Sequence, residues 1–127
     1  MLFDTDVLIW AIRGSKKAAL LIDNDRNRFI STVNYIELMQ LARDEKEQMI
    51  IKSFLKSLDF NVLSITDAIS HRAVILIEEF ALKSGMQLAD ALIVATACEH
   101  SLILCSANEK HFREVSSLNI KTFHLNV

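Results

Sequence analysis

The sequence predicts an α/β fold built on a mostly parallel sheet with helices on both faces. Short apolar runs of strand length recur along the chain, at Met1–Asp4, Arg28–Ser31, Phe60–Ile65, Leu102–Ser106 and Lys121–Leu125. Segments with the 3.6-residue period of an amphipathic helix lie between them. With no proline and only two glycines, Gly14 and Gly85, the chain is poor in the turn formers that an all-β fold needs. Its 127 residues suit one ordinary domain, and an apolar share of 51% supplies a sizeable core.

Taken in order, the first run is closed by Asp4, and a helix is expected from Val7 with Asp6 as its cap. After the second run, Tyr35, Leu38, Met39 and Ala42 repeat at i, i+3, i+4, i+7. Asn34 followed three residues later by Glu37 fits a variant capping box for that helix. The polar run Asp44–Gln48 reads as a solvated break. Ile51, Phe54, Leu55 and Leu58 then mark the next helix, and Ile69, Ala73, Leu76, Ile77 and Phe80 mark a further one. Between Gln87 and His100 the pattern changes. Leu88, Ala91, Leu92 and Ala95 make one apolar face and Ile93, Val94 and Ala97 another, so this helix is expected to be buried all round. Asp90 sits in its first turn, and a carboxylate there needs a basic partner, backbone N–H groups or a cation.

Composition excludes several function classes. A net charge of −2 with 24% charged residues excludes a disordered tail and a strongly basic nucleic-acid coat. Two glycines cannot build a Gly-rich phosphate loop. The acidic start MLFDTD is unlike a secretory signal, and the richest apolar stretch, Leu88–Cys98, is short and carries Asp90. A soluble cytoplasmic protein with no membrane partner is therefore expected, and Cys98 and Cys105 are expected to pack as reduced thiols. Cys98, His100, Cys105 and His111 lack the paired spacing of a zinc site.

The acids converge if the strands are parallel. Ligands of open α/β sheets bind beyond the carboxyl ends of the strands. Asp4, Thr5 and Asp6 stand at the end of the first strand, Glu37 follows the second, Asp90 opens the buried helix, and Ser106, Ala107 and Asn108 end the fourth. Gathered carboxylates repel and raise one another's pKa, and a divalent cation relieves that cost. Hard oxygen donors suit magnesium or manganese. Each acid also has an ordinary structural reading as a cap or helix-dipole partner, and only their joint placement favours a site. Two basic clusters, Arg13, Lys16 and Lys17 after the first helix and Lys110, His111 and Arg113 after the fourth strand, are candidate contacts to a nucleic-acid backbone.

Four motifs in order resemble those of the PIN-domain nucleases: Leu2–Ile9, Ser31–Leu38, Leu88–Ala97 and Leu104–Phe112. The subgroup they resemble is the VapC-type toxins of toxin–antitoxin pairs. The resemblance spans essentially the whole chain. It implies a PIN-like three-layer α/β/α fold with a five-stranded parallel sheet and a metal-dependent endoribonuclease using Mg2+ or Mn2+. It further implies an RNA substrate, a cognate antitoxin and a homodimer. Asp4, Glu37 and Asp90 match the family's metal-binding acids, and the catalytic set is completed by Asn108, where an Asp is common. Thr5, Asp6, Ser106 and Glu109 are possible supporting residues.

Three carboxylates carry −3, so one divalent ion is expected without RNA and a weaker second site is expected once a phosphate arrives. Two other readings remain at this stage. One is a PIN-like module that binds without cutting. The other is a phosphoacceptor receiver domain, for which Asp67, after Phe60–Ile65, is the candidate acceptor.

Overall fold

The computed structural model describes residues 1–125. The elements run β1 (Leu2–Phe3), α1 (Thr5–Ile12), α2 (Lys16–Asp23), β2 (Phe29–Ser31), α3 (Thr32–Leu41) and α4 (Glu45–Ser57). They continue with β3 (Asn61–Leu63), α5 (Asp67–Ser84), α6 (Leu88–Glu99), β4 (Leu104–Ser106), a 3₁₀ turn at Glu109–His111 and β5 (Ile120–Thr122). All five strands pair in parallel, in the order β3-β2-β1-β4-β5. The predicted sheet is therefore present, and each strand is shorter than the apolar run that announced it.

Alternation along the strands divides the core into two layers, because successive side chains leave a strand on opposite faces. Leu2 and Leu104 pack with Ile69, Leu76, Ile93 and Val94 from α5 and α6. Phe3, Ile30 and Cys105 pack on the other face with Val7, Leu8, Ile22, Leu38 and Leu55 from α1 to α4. Helix α3 contributes to both layers, Val33 to the first and Leu38 to the second.

The element boundaries correct several expectations. Helix α1 starts at Thr5 and is capped by Asp4, whose side chain accepts from the Thr5 N–H; Asp6 lies inside the first turn. Helix α3 is capped by Ser31, and Asn34 is the third residue of that capping box, so Glu37 takes no part in it. The run Asp44–Gln48 is mostly helical: Asp44 accepts from the Glu47 N–H and caps α4, with Glu45 and Glu47 placed where the helix dipole favours acids. Helix α2, capped by Ser15, was not signalled as a separate element. Helix α6 is buried from Ala91 to Ala97 apart from a half-buried Leu92, as its pattern predicts. Leu88, the first residue of the helix, departs from that pattern at 73% exposed. Among the described residues no helix is long and apolar enough to cross a membrane.

Candidate active site at the sheet switch point

The chain leaves β1 for β2 on one side, and β4 and β5 fill the other, so the strand order reverses between β1 and β4. Such a switch point opens a crevice at the carboxyl ends of the two strands. Asp4 follows β1 directly, and Ser106 is the last residue of β4.

Asp4 is 9% exposed and its carboxylate is held on several sides. Oδ1 accepts from the Thr5 N–H at 2.8 Å, and Oδ2 accepts from the Ser106 hydroxyl at 2.8 Å. The Asn34 amide donates to Thr5 Oγ1 at 3.0 Å and reaches Asp4 Oδ1 at 3.5 Å. Thr5 in turn donates to Glu37 Oε1 at 2.7 Å. On the β4 side, the Asn108 N–H donates to Ser106 Oγ at 3.0 Å. Asp90 Oδ2 accepts from the Gln87 N–H at 3.0 Å and stands 3.2 Å from His111 Nδ1, which is 3.4 Å from the Asn108 amide nitrogen. An unbroken series of polar contacts thus runs Glu37–Thr5–Asp4–Ser106–Asn108–His111–Asp90.

The charges on the Asp4 side are of one sign. Burial is the main reason that the Asp4 carboxyl is pushed from the usual 3.8 up to about 7, and the neighbouring Asp6 and Glu37 charges add to it. Hydrogen bonds from Ser106 and Thr5 oppose the rise. Asp6 is also raised, by burial first and by Glu37, against hydrogen bonds from the Val7 and Ala107 N–H groups. No lysine or arginine among the described ion pairs reaches Asp4, Asp6, Glu37 or Asp90.

Among the described residues no three His, Cys, Asp or Glu side chains close into a ready-made metal cage. The zinc combination therefore does not form, and Cys105 lies in the core with its thiol pushed up to about 12 by burial. The switch-point donors are carboxylate and amide oxygens, which fit a hard divalent cation. A like-charged set with no lysine or arginine partner among the described ion pairs is the electrostatic condition that such a cation relieves.

The remaining sequence candidates separate. Thr5, Asp6 and Ser106 join the series or its edge. Glu109 does not: its Oε2 accepts from Thr122 Oγ1 of β5 at 2.8 Å. Arg13, Lys16, Lys110 and Arg113 are exposed. Lys17 is engaged with the His124 carbonyl oxygen and lies over the Phe123 ring. Asn34 and His111 are the residues added to the site. Their signals were the Ser31-x-x-Asn34 box and the three-residue step from Asn108 to His111. Asp67 opens α5 after the edge strand β3, so no acceptor aspartate ends a middle strand as a receiver domain requires.

The fold is a parallel α/β sheet with acids gathered at its switch point, and comparison identifies its family. The PIN domain family model matches residues 1–118, and the chain belongs to that family. Among solved structures, the similar folds include chains of toxin–antitoxin complexes. A chain of a toxin–antitoxin complex from Klebsiella pneumoniae is 30% identical, with 95% of each chain covered and a TM-score of 0.79. A chain of VapBC2 from Rickettsia felis, solved with a promoter DNA fragment, is 19% identical, covering 97% of this chain and 98% of that one at a TM-score of 0.80. A chain of VapBC-1 from nontypeable Haemophilus influenzae is 20% identical, covering 95% and 96% at 0.78. Comparison with curated proteins returns no match.

Proposed function

We propose that this chain is a metal-dependent endoribonuclease and the toxin of a toxin–antitoxin pair. The observation that carries the reading is the acidic series at the β1/β4 switch point, which no lysine or arginine reaches among the described ion pairs, in a chain of the PIN family. Asp4 and Asp90 would hold the principal ion, Mg2+ or Mn2+, with Glu37 as the third acid and Asn108 as a neutral fourth donor. When bound, that ion supplies Lewis acidity at a phosphodiester and lowers the pKa of a water toward neutrality.

The chain's own residues supply the rest. Glu37, aligned by Thr5, orients the attacking water and accepts its proton. Ser106 and the Thr5 N–H keep the Asp4 oxygens in place. Water attack in line with the leaving 3′-oxygen, which takes its proton from solvent, gives a 5′-phosphate and a 3′-hydroxyl. The exposed Lys110 and Arg113, just beyond β4, are placed in sequence to meet the RNA backbone, with Arg13 and Lys16 as a second group.

The antitoxin would occupy the groove between α1, α3 and α4. That groove has a volume of about 500 Å³, and Ile9, Ile12, Leu38, Leu41, Ile50 and Ile51 line it. Its apolar lining suits an amphipathic helix, and the Arg43–Glu47 pair sits at its rim. A homodimer completes the reading; exposed Leu82 and Leu88, flanking the α5–α6 turn, are apolar residues it would cover.

The test uses antitoxin-free protein and a pool of structured RNAs with Mn2+, Mg2+ or EDTA. Asp90→Asn, which keeps an oxygen for the Gln87 N–H, is purified identically. Discrete cuts by the parent with metal, absent in EDTA and reduced at least ~100-fold in the variant, are expected. Folded parent protein that cuts nothing would leave the non-cutting PIN-like module as the better reading. Equal cutting by both proteins would remove Asp90 from the site.

A further inference from the structure

We propose that His111 is a positioning residue of this site, holding the Asp90 carboxylate through an Nδ1–H hydrogen bond. The proposal rests on the acidic-site reading above and concerns a residue outside the acidic motif positions. An ionised carboxylate only accepts, so the 3.2 Å contact to Asp90 Oδ2 requires His111 Nδ1 to carry the proton. The Asn108 amide nitrogen 3.4 Å from the same Nδ1 is then a donor facing a donor and makes no hydrogen bond to it, leaving the shorter Asp90 contact as the bond. Oδ2 also takes the Gln87 N–H at 3.0 Å, which completes the α6 capping box. One oxygen of Asp90 is thus fixed by two donors. Oδ1 accepts no hydrogen bond among the described residues and is left for a ligand.

The backbone around His111 is built to deliver it. Phe112 is 1% exposed and anchors the 3₁₀ turn in the core. At the other end of the turn, the Asn108 N–H is fixed on Ser106, which is fixed on Asp4. His111 therefore couples the β1/β4 side of the crevice to the start of α6. This coupling has particular value in a chain with Asn108 at the fourth position. With one fewer negative charge to attract a cation, the geometry of the remaining carboxylates matters more. Groups that orient a metal-binding carboxylate typically change affinity 10–100-fold when removed.

The experiment measures Mn2+ binding by titration calorimetry and by the loss of the free-ion paramagnetic resonance signal. Full-length wild type, His111→Ala and His111→Asn are compared, with thermal melts of each in EDTA. Asn is the informative variant, because its amide nitrogen stands where Nδ1 stands. We expect His111→Ala to weaken Mn2+ binding about tenfold with a melting temperature close to the parent's. His111→Asn should recover most of the affinity. Parent-like affinity in the alanine variant overturns the proposal, and so does an asparagine variant as weak as alanine.

A metal-free measurement separates this from failure of the metal reading. The ring ¹⁵N spectrum of neutral His111 should show the Nδ1–H tautomer in the parent and its loss in Asp90→Ala. A dominant Nε2–H tautomer in the parent would overturn the proposal with no ion present. Wild-type protein that keeps the Nδ1–H tautomer but binds no Mn2+ would sink the metal reading and leave the His111–Asp90 contact standing.

Discussion

Asp4 has two duties that conflict. As N-cap of α1 it satisfies a backbone donor, which stabilises the helix by about 1 kcal/mol. As a buried carboxylate beside Asp6 and Glu37 it resists ionisation, with a carboxyl at about 7. The folded state therefore holds the Asp4 proton more tightly than the unfolded state does. For this group, metal-free stability is greatest below the usual 3.8 and falls as pH rises from there to about 7. Asp4→Asn keeps a capping oxygen and removes the charge. In EDTA the variant should be more stable than the parent near pH 8, by at most about 4 kcal/mol, and should lose that advantage near pH 4. Urea unfolding across that range checks it, and parallel pH profiles for the two proteins would refute the assignment. Cys105 shows burial acting on a different group: a fully buried mid-strand thiol pushed up to about 12 should resist alkylation as long as the fold is intact.

Short elements meet at this site, so their ends do much of the positioning. Ser31 and Asn34 cap α3 reciprocally: the Ser31 side chain accepts from the Val33 N–H at 3.0 Å, and Asn34 Oδ1 accepts from the Ser31 N–H at 2.8 Å. The same Asn34 amide then reaches Thr5 and Asp4, so one side chain both ends β2 and braces β1. Asn34→Ala leaves a buried donor and acceptor unmatched. It should cost about 2–4 kcal/mol by urea unfolding and lower Mn2+ affinity along with stability. At the far end of α5, Gly85 adopts φ +74, which glycine takes without the steric penalty of an L side chain. An added Cβ there meets nothing within 4 Å. Gly85→Ala should therefore cost only the backbone term, about 1 kcal/mol, with cleavage unchanged. A much larger loss would mean that the turn into α6 has a further packing role.

At the scale of the whole molecule, no residue of the acidic series lines the α1/α3/α4 groove, although Arg13 does. Cutting and antitoxin capture should therefore be separable by mutation. Leu41 is 59% exposed on the groove and is absent from the acidic series. Leu41→Asp should weaken a groove-bound antitoxin helix by at least about tenfold, because it places a charge in an apolar contact. Metal-dependent RNA cleavage by the free protein should stay at the parental rate. Calorimetry with the cognate antitoxin, paired with the cleavage assay, reads both halves. Unchanged antitoxin affinity would move the contact elsewhere, and lost cleavage would tie the groove to the active site.

The sequence by itself determined the α/β class, the parallel sheet, the buried character of α6 and the serines that end β2 and β4, while the ends of β1, β3 and β5 fall short of the runs that announced them. These properties are periodic or local: a strand shows its two-residue alternation, a helix its 3.6-residue repeat, and an acid closing an apolar strand stands out wherever the strand goes. The four motifs carried the family for the same reason, since each is a short run on one element. Tertiary structure alone decided which side chains share a proton or a charge. Nothing local says that Thr5 bridges Asp4 to Glu37, that Glu109 is drawn to Thr122 or that His111 meets Asp90. Those contacts join residues from different elements, and their distances are set by sheet order and core packing. The raised carboxyl of Asp4 belongs with them, because desolvation and repulsion exist only once the chain has enclosed the group.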